Sequence, residues 1–258
     1  MKKVIVFTAL VLFVSALNVF AQKSKKEEPA QTQQPQAPAV ETDITIYNAA
    51  MKYGDYDAAR FALYSLMAKH PENITYLDSL IRIYFMTGNW AQCILTGNEY
   101  MKKDTGNVDL MELVAVSNSN LSRNKEALEL YEKLYRKTGH LYHAYQVAVH
   151  QYIMQRYGEC AQMIDIIVND TASAKELINI NAEENQSQQV PVRASALNLR
   201  GVMLKEINMP EKAKENFEAA LKIAPDFILA KNNIELMKKE SEPKQADKTT
   251  PGKKPVNK

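Results

Sequence analysis

Residues 194–227 read ASALNLRGVMLKEINMPEKAKENFEAALKIAPDF. The stretch is 34 residues long, and small or apolar side chains punctuate it at Leu197, Gly201, Leu204, Ala213, Phe217 and Ala220, with Pro225 near its end. Working outward, Ala59, Cys93, Ala127 and Ala161 stand at equal separations, because 93−59, 127−93 and 161−127 are all 34. Equal separations of this size mark a chain built from repeated supersecondary units, each of which buries its apolar face against its neighbours.

This pattern resembles the tetratricopeptide-repeat (TPR) family. With Ala59 set as position 20 of a repeat, the stretch 194–227 carries Leu197, Gly201, Leu204, Ala213, Phe217, Ala220 and Pro225 at family positions 4, 8, 11, 20, 24, 27 and 32. From Val40 come Gly54 at the turn between helices, then Ala59, Leu63, Leu66 and Pro71, although Tyr47 stands where a small residue is usual. From Ile74 come Leu77, Leu80, Tyr84, Gly88 and Tyr100; from Val108, Met111, Val114, Ala115, Ala127, Tyr131 and Leu134; from Tyr142, Tyr145, Ala148, Tyr152, Ala161 and Val168. The resemblance implies two antiparallel helices per repeat and an all-α, right-handed α-solenoid of about five helical hairpins over residues 43–239.

One interval breaks the period. From Ala161 to Ala213 is 52 residues, one repeat plus 18, so a segment is inserted at about 176–193. There Ile178 and Ile180 alternate with Asn179 and Asn181, and Val190 and Val192 alternate with Gln189 and Pro191. A period of two predicts strands, hence a β-hairpin turning through Ala182–Ser187, with Pro191 confining its strand to an edge. An irregular loop and a longer helix are the alternatives. Residues 226–239 read as the cap a solenoid needs, with Ile228, Ile234 and Met237 on one side and Lys231, Asn232, Glu235 and Lys238 on the other.

The two ends differ from the repeats. Residues 1–21 read as a signal peptide: Lys2 and Lys3, an apolar run from Val4 to Val14, and Val19-x-Ala21 as the cleavage pattern. That run of about 11 residues is short of the roughly 20 that span a bilayer, so no integral membrane anchor is expected. No cysteine follows the cleavage site, which leaves a lipoprotein without its acceptor. Residues 22–42, rich in Gln, Pro, Lys and Glu, and residues 240–258, with five lysines against three acids, read as disordered tether and tail. The chain is therefore expected to be exported, to the periplasm of a double-membraned bacterium.

Composition excludes several functions. The formal net charge is +2, and it vanishes once Lys2 and Lys3 are set aside, so no nucleic-acid partner is expected. Neither G-x-x-x-x-G-K-[ST] nor G-x-G-x-x-G occurs, and nothing resembles G-x-S-x-G. Cys93 and Cys160 fall in different repeats, roughly 20 Å apart at about 10 Å per helix layer, too far for a disulfide. Cys93 reads as a buried small hydrophobe. His140, His143 and His150 cluster, but no acid or thiol completes a metal tetrahedron, and by the resemblance most of the tyrosines from Tyr84 to Tyr157 occupy large-residue core positions. No catalytic residue, metal or cofactor is expected, and the chain does not read as an enzyme.

In TPR proteins the first helices of successive repeats line a concave groove. Carried over position by position, the resemblance implies a groove of Asn48, Met51 and Lys52; Asp78, Arg82, Phe85 and Met86; Glu112, Val116 and Asn120; and Gln146, His150 and Met154. Such a mixed surface suits a peptide held by a few apolar anchors and side-chain hydrogen bonds. The carboxylate clamp of chaperone-type TPRs is not matched: Asn48 fits, but Ile44, Ser79, Asp109 and Leu113 stand where Lys, Asn, Lys and Arg are needed. The expected function is a protein-protein interaction scaffold or adaptor of the cell envelope with a protein or peptide partner. A self-assembling homo-oligomer and an envelope enzyme built on a helical platform are the alternatives.

Overall fold

The computed structural model describes residues 39–183 and 186–241. The expected signal peptide, residues 22–38 of the tether and residues 242–258 of the tail lie outside the described residues, while residues 240–241, read as tail, end the last helix. Among the described residues eleven α-helices follow one another: α1 Ala39–Tyr53, α2 Tyr56–Lys69, α3 Ile74–Met86, α4 Trp90–Lys103, α5 Val108–Asn120, α6 Asn124–Thr138, α7 Leu141–Ile153, α8 Tyr157–Asn169, α9 Val192–Glu206, α10 Pro210–Ile223 and α11 Ile228–Ser241. They pair as five hairpins, α1/α2 through α9/α10, with α11 packed on α10. This is the α-solenoid the period implies. Residues 39–42, read from composition as tether, are the first turn of α1.

Short polar side chains start several of these helices by accepting from otherwise unpaired backbone N–H groups. Asp55 Oδ1 accepts from Ala58 N at 3.0 Å, Asn73 Oδ1 from Thr75 N at 3.1 Å, and Asn107 Oδ1 from Leu110 N at 3.1 Å. Within every hairpin the turn contains one left-handed residue: Gly54, Gly88, Ser122, Gln155 and Asn208, with φ of 72°, 69°, 56°, 58° and 60°. Glycine supplies that conformation without steric cost at the first two; at the other three a side chain tolerates it.

These turns also correct the register. Their spacing is 34, 34, 33 and 53, so the fourth repeat is one residue early (155−122 = 33). The small residue that starts each second helix is Ala59, Cys93, Ala127, Cys160 and Ala213, all fully buried, while Ala161 is half-buried. The backbone agrees: Ala59 N, Cys93 N, Ala127 N, Cys160 N and Ala213 N each donate to the carbonyl four residues back, just outside the helix. The residue is saved after α6, where Gly139 at φ 67° stops the helix and His140 leads directly into α7.

The inserted segment is a β-hairpin. After a 3-10 turn at Thr171–Ala174, β1 (Leu177–Glu183) pairs antiparallel with β2 (Gln186–Pro191), Ile178 opposite Val190. Alternation puts those two residues on the inner face, 5% and 0% exposed, while Asn179 and Gln189 are exposed. Ile178 joins the core of α7, α8 and α9 beside Cys160, Ile164 and Ala196; Val190 joins that of α9, α10 and α11 beside Leu197, Ala220 and Phe227. Polar ties fasten the hairpin further. Tyr142 N donates to Glu176 Oε1 at 3.0 Å, Arg193 Nε to Ser173 Oγ at 2.9 Å, and the Gln188 amide donates to Asp226 O at 2.9 Å while accepting from Ile228 N at 3.0 Å.

Candidate groove along the first helices

The first helices of successive hairpins form one inner row, with α3 against α5 and α7 against α9. Asn48 and Lys52 are exposed on α1, and Met51 is half-buried. On α3, Asp78 accepts from Arg82 Nε at 2.6 Å, an i, i+4 pair that raises the guanidinium pKa, with Asp109 of α5 adding to the field. Phe85 is half-buried with its ring edge-on to Trp90, centroids 5.4 Å apart, and Met86 is 53% exposed. On α5, Glu112 and Val116 are half-buried and Asn120 is exposed, its amide donating to Val116 O. The result is an open surface with apolar side chains between charged ones.

The fourth repeat departs from the expected set. Because the register advances by one, the places expected for Gln146, His150 and Met154 belong to Tyr145, Val149 and Ile153, with Tyr152 beside Ile153. His150 is 3% exposed and is a core residue. Its ring stacks on Tyr131, its Nε2 lies 2.9 Å from Ser119 Oγ, and its Nδ1 lies 3.2 Å from Asn124 Oδ1. Burial holds its pKa down at about 4. His143 is likewise buried, between Thr138 Oγ1 at 2.9 Å and Glu112 Oε2 at 3.4 Å. Gln146 is half-buried and Met154 caps the end of α7, exposed.

Aromatic and aliphatic side chains, Tyr145 and Val149, therefore take the places expected for the polar Gln146 and His150 in this part of the row. Tyr152 and Tyr157 both donate to the Glu206 carboxylate, Tyr157 at 2.9 Å to Oε2, which joins the fourth repeat to the fifth. Burial, and then the bond to Glu206, raises the Tyr152 pKa. The signal that could have located these residues was Gly139, an αL stop that shortens the link before α7. Burial pushes the Cys93 thiol up and that of Cys160 up to about 11, so both are thiols at neutral pH, not nucleophilic thiolates. Among the described residues no group of three His, Cys, Asp or Glu is placed to hold a metal, and no helix is long and apolar enough to cross a membrane.

Neither a family model nor a curated protein sequence matches the chain. Solved structures do match its fold. YrrB, described as a TPR protein with an unusual peptide-binding site, aligns over 75% of this chain and 90% of its own, at 14% identity and a TM-score of 0.59. A tetratricopeptide repeat protein from Parabacteroides merdae ATCC 43184 aligns over 79% and 80%, at 21% identity and 0.57. MamA aligns over 71% and 91%, at 16% identity and 0.56. At these identities the likeness is one of fold: the chain folds as a TPR-like α-solenoid.

Proposed function

We propose that this TPR solenoid is a non-catalytic protein-interaction scaffold, holding a segment of a partner protein along α1, α3, α5, α7 and α9. The observation that carries this reading is the inner row itself. Phe85, Met86, Val116, Tyr145 and Tyr152 come from successive first helices, with Arg82, Asp78 and Glu112 between them. Apolar anchors spaced along charged positions suit a peptide that orders on binding. The peptide-binding site named for YrrB supports the same use of this fold. The leader at residues 1–21 supports a place in the cell envelope, outside the cytoplasm.

Crosslinking from envelope fractions followed by mass spectrometry tests both parts. A partner retained by the native chain and lost on Arg82→Ala/Phe85→Ala supports the groove; retention by that double variant removes it. A mature N-terminus at Gln22 supports export, and an intact Met1 in the cell contradicts it. Self-assembly is the second reading, favoured by Phe61 and Leu95, which stand 34 residues apart on α2 and α4 and are 75% and 70% exposed. A mass that rises with concentration in the native chain, but not in Phe61→Ser/Leu95→Ser, would favour it.

A further inference from the structure

The end of α11 lies against the inner row. Asn233 Nδ2 donates to Asn198 Oδ1 of α9 at 2.9 Å, and Lys205 Nζ pairs with the Glu240 carboxylate at 2.9 Å. Residues 242–258 therefore leave the solenoid at the C-terminal end of α9, next to Glu206. That carboxylate accepts from Tyr152 and Tyr157 of the fourth repeat, so the exit opens on the tyrosines of the row.

Charge along the row selects what can lie there. Asp109 and Glu206 are exposed, and Glu112 is half-buried with the His143 ring 3.4 Å away. Among the described residues none of the three forms an ion pair with a lysine or arginine. The cations on the same helices are engaged: Arg82 by Asp78, Arg193 by Ser173 and the Asp170 carbonyl, Arg200 by Asp165 and Lys205 by Glu240. Helix α7 adds no Asp, Glu, Lys or Arg. From α5 to α9 the groove offers carboxylates and tyrosine rings. Its complement is a segment of lysine and proline, with lysines for the carboxylates and prolines for the aromatic faces.

Residues 251–258 read PGKKPVNK, three lysines and two prolines without an acid. They can reach. The 12 residues from 242 to 253 span at most about 40 Å. From α9 to α5 is about 20 Å at 8–10 Å per packed helix, and the length of α5 adds about 20 Å along its axis, a diagonal of about 30 Å.

We propose that the chain's own C-terminal segment, residues 242–258, occupies the groove in the same molecule, with Lys253 and Lys254 on Asp109 and Glu112 and the prolines against the tyrosines of α7. A partner then binds by displacing it. Tethering gives the segment an effective concentration on the order of millimolar, so a contact too weak to hold a free peptide is populated within one chain. The proposal rests on the groove reading and names the groove's resting occupant.

The test uses the full-length chain with methyl-labelled methionine and a nitroxide on Asn257→Cys; Cys93 and Cys160 are buried and stay unlabelled. The nitroxide is expected to broaden the methyl signals of Met111 on α5 and Met86 on α3 more than that of Met237, four residues before the end of α11. Lys253→Glu/Lys254→Glu should remove that excess. So should Asp109→Lys, at an exposed position where the fold is not at stake. Broadening greatest at Met237, or broadening indifferent to both charge reversals, would overturn the proposal. So would its appearance in a mixture of nitroxide-bearing and methyl-labelled chains, which marks a segment reaching a second copy. The groove reading has its own test: a partner still lost on Arg82→Ala/Phe85→Ala keeps the groove when the tail fails, and a partner retained removes both.

Discussion

The imidazole of His150 lies stacked on the ring of Tyr131, centroids 5.5 Å apart and planes 19° from parallel, with both residues out of solvent. The contact joins α6 to α7, so it belongs to the interface between the third and fourth repeats. His150 is neutral there, because burial lowers its pKa to about 4 against an ordinary value near 6.5.

That depression makes stability depend on pH. Below the unfolded value the unfolded chain takes up a proton that the folded chain refuses, so this contribution is intact above about pH 6.5 and is lost as pH falls towards 4. The loss is on the order of 2–3 kcal/mol at about 1.4 kcal/mol per unit. Urea unfolding at pH 7.0, 5.5 and 4.5 should show that fall. In His150→Gln the fall over the same interval should shrink by most of that amount, whatever its effect at pH 7; an unchanged slope would rule out His150 as the source.

The five left-handed turn residues give a test that runs in both directions. Ser122 and Gln155 hold φ of 56° and 58° with a side chain, where Gly54 and Gly88 hold it with none. An L-residue there costs roughly 1–2 kcal/mol, offset in part by the greater chain entropy that glycine loses on folding, roughly 0.5–1 kcal/mol. Ser122→Gly and Gln155→Gly should each stabilise by about 0.5–1 kcal/mol in denaturant titrations, and Gly88→Ala should destabilise by about as much.

Gly97 occupies the position held by Leu63 in the first repeat and Tyr131 in the third (63+34 = 97, 97+34 = 131). The space is filled from α5: a Cβ on Gly97 would overlap Val114 Cγ2. Overpacking of this kind costs about 1–3 kcal/mol, against a gain of about 1 kcal/mol in helix propensity. Gly97→Ala should therefore destabilise by about 0.5–2 kcal/mol. In a Val114→Ala background the overlap is gone and the propensity gain is kept, so the same change should stabilise by about 1 kcal/mol. A double-mutant cycle reads this reversal of sign directly.

The period of the solenoid was legible because packing dictates it: where two helices cross closely only a small side chain fits, and Ala59, Cys93 and Ala127 mark the place. The fourth mark was ambiguous for a physical reason. Cys160 and Ala161 are both small, and helix rotation by one residue, not residue size, decides which of them faces inward. That ambiguity carried His150 into the groove set and kept Tyr145 and Tyr152 out of it. The hairpin was legible from alternation at Ile178, Ile180 and Val190, since one ribbon face is buried. Its anchorage was not, because Gln188 reaches Ile228 across 40 residues and nothing local in the sequence announces the bond.

That anchorage alters how the solenoid comes apart. In a simple repeat array each unit touches only its neighbours, and melting proceeds inward from the ends. Here residues 176–193 touch α7 through Tyr142, α9 through Val192 and α11 through Ile228, spanning two repeats and the terminal helix. The first turn of the terminal helix cannot come away without releasing Gln188, and the hairpin holding Gln188 is seated in the cores of both repeats. The helices α7 to α11 are thus expected to unfold as one cooperative block, fused by a strap, where α1 to α6 are joined only as ordinary stacked units.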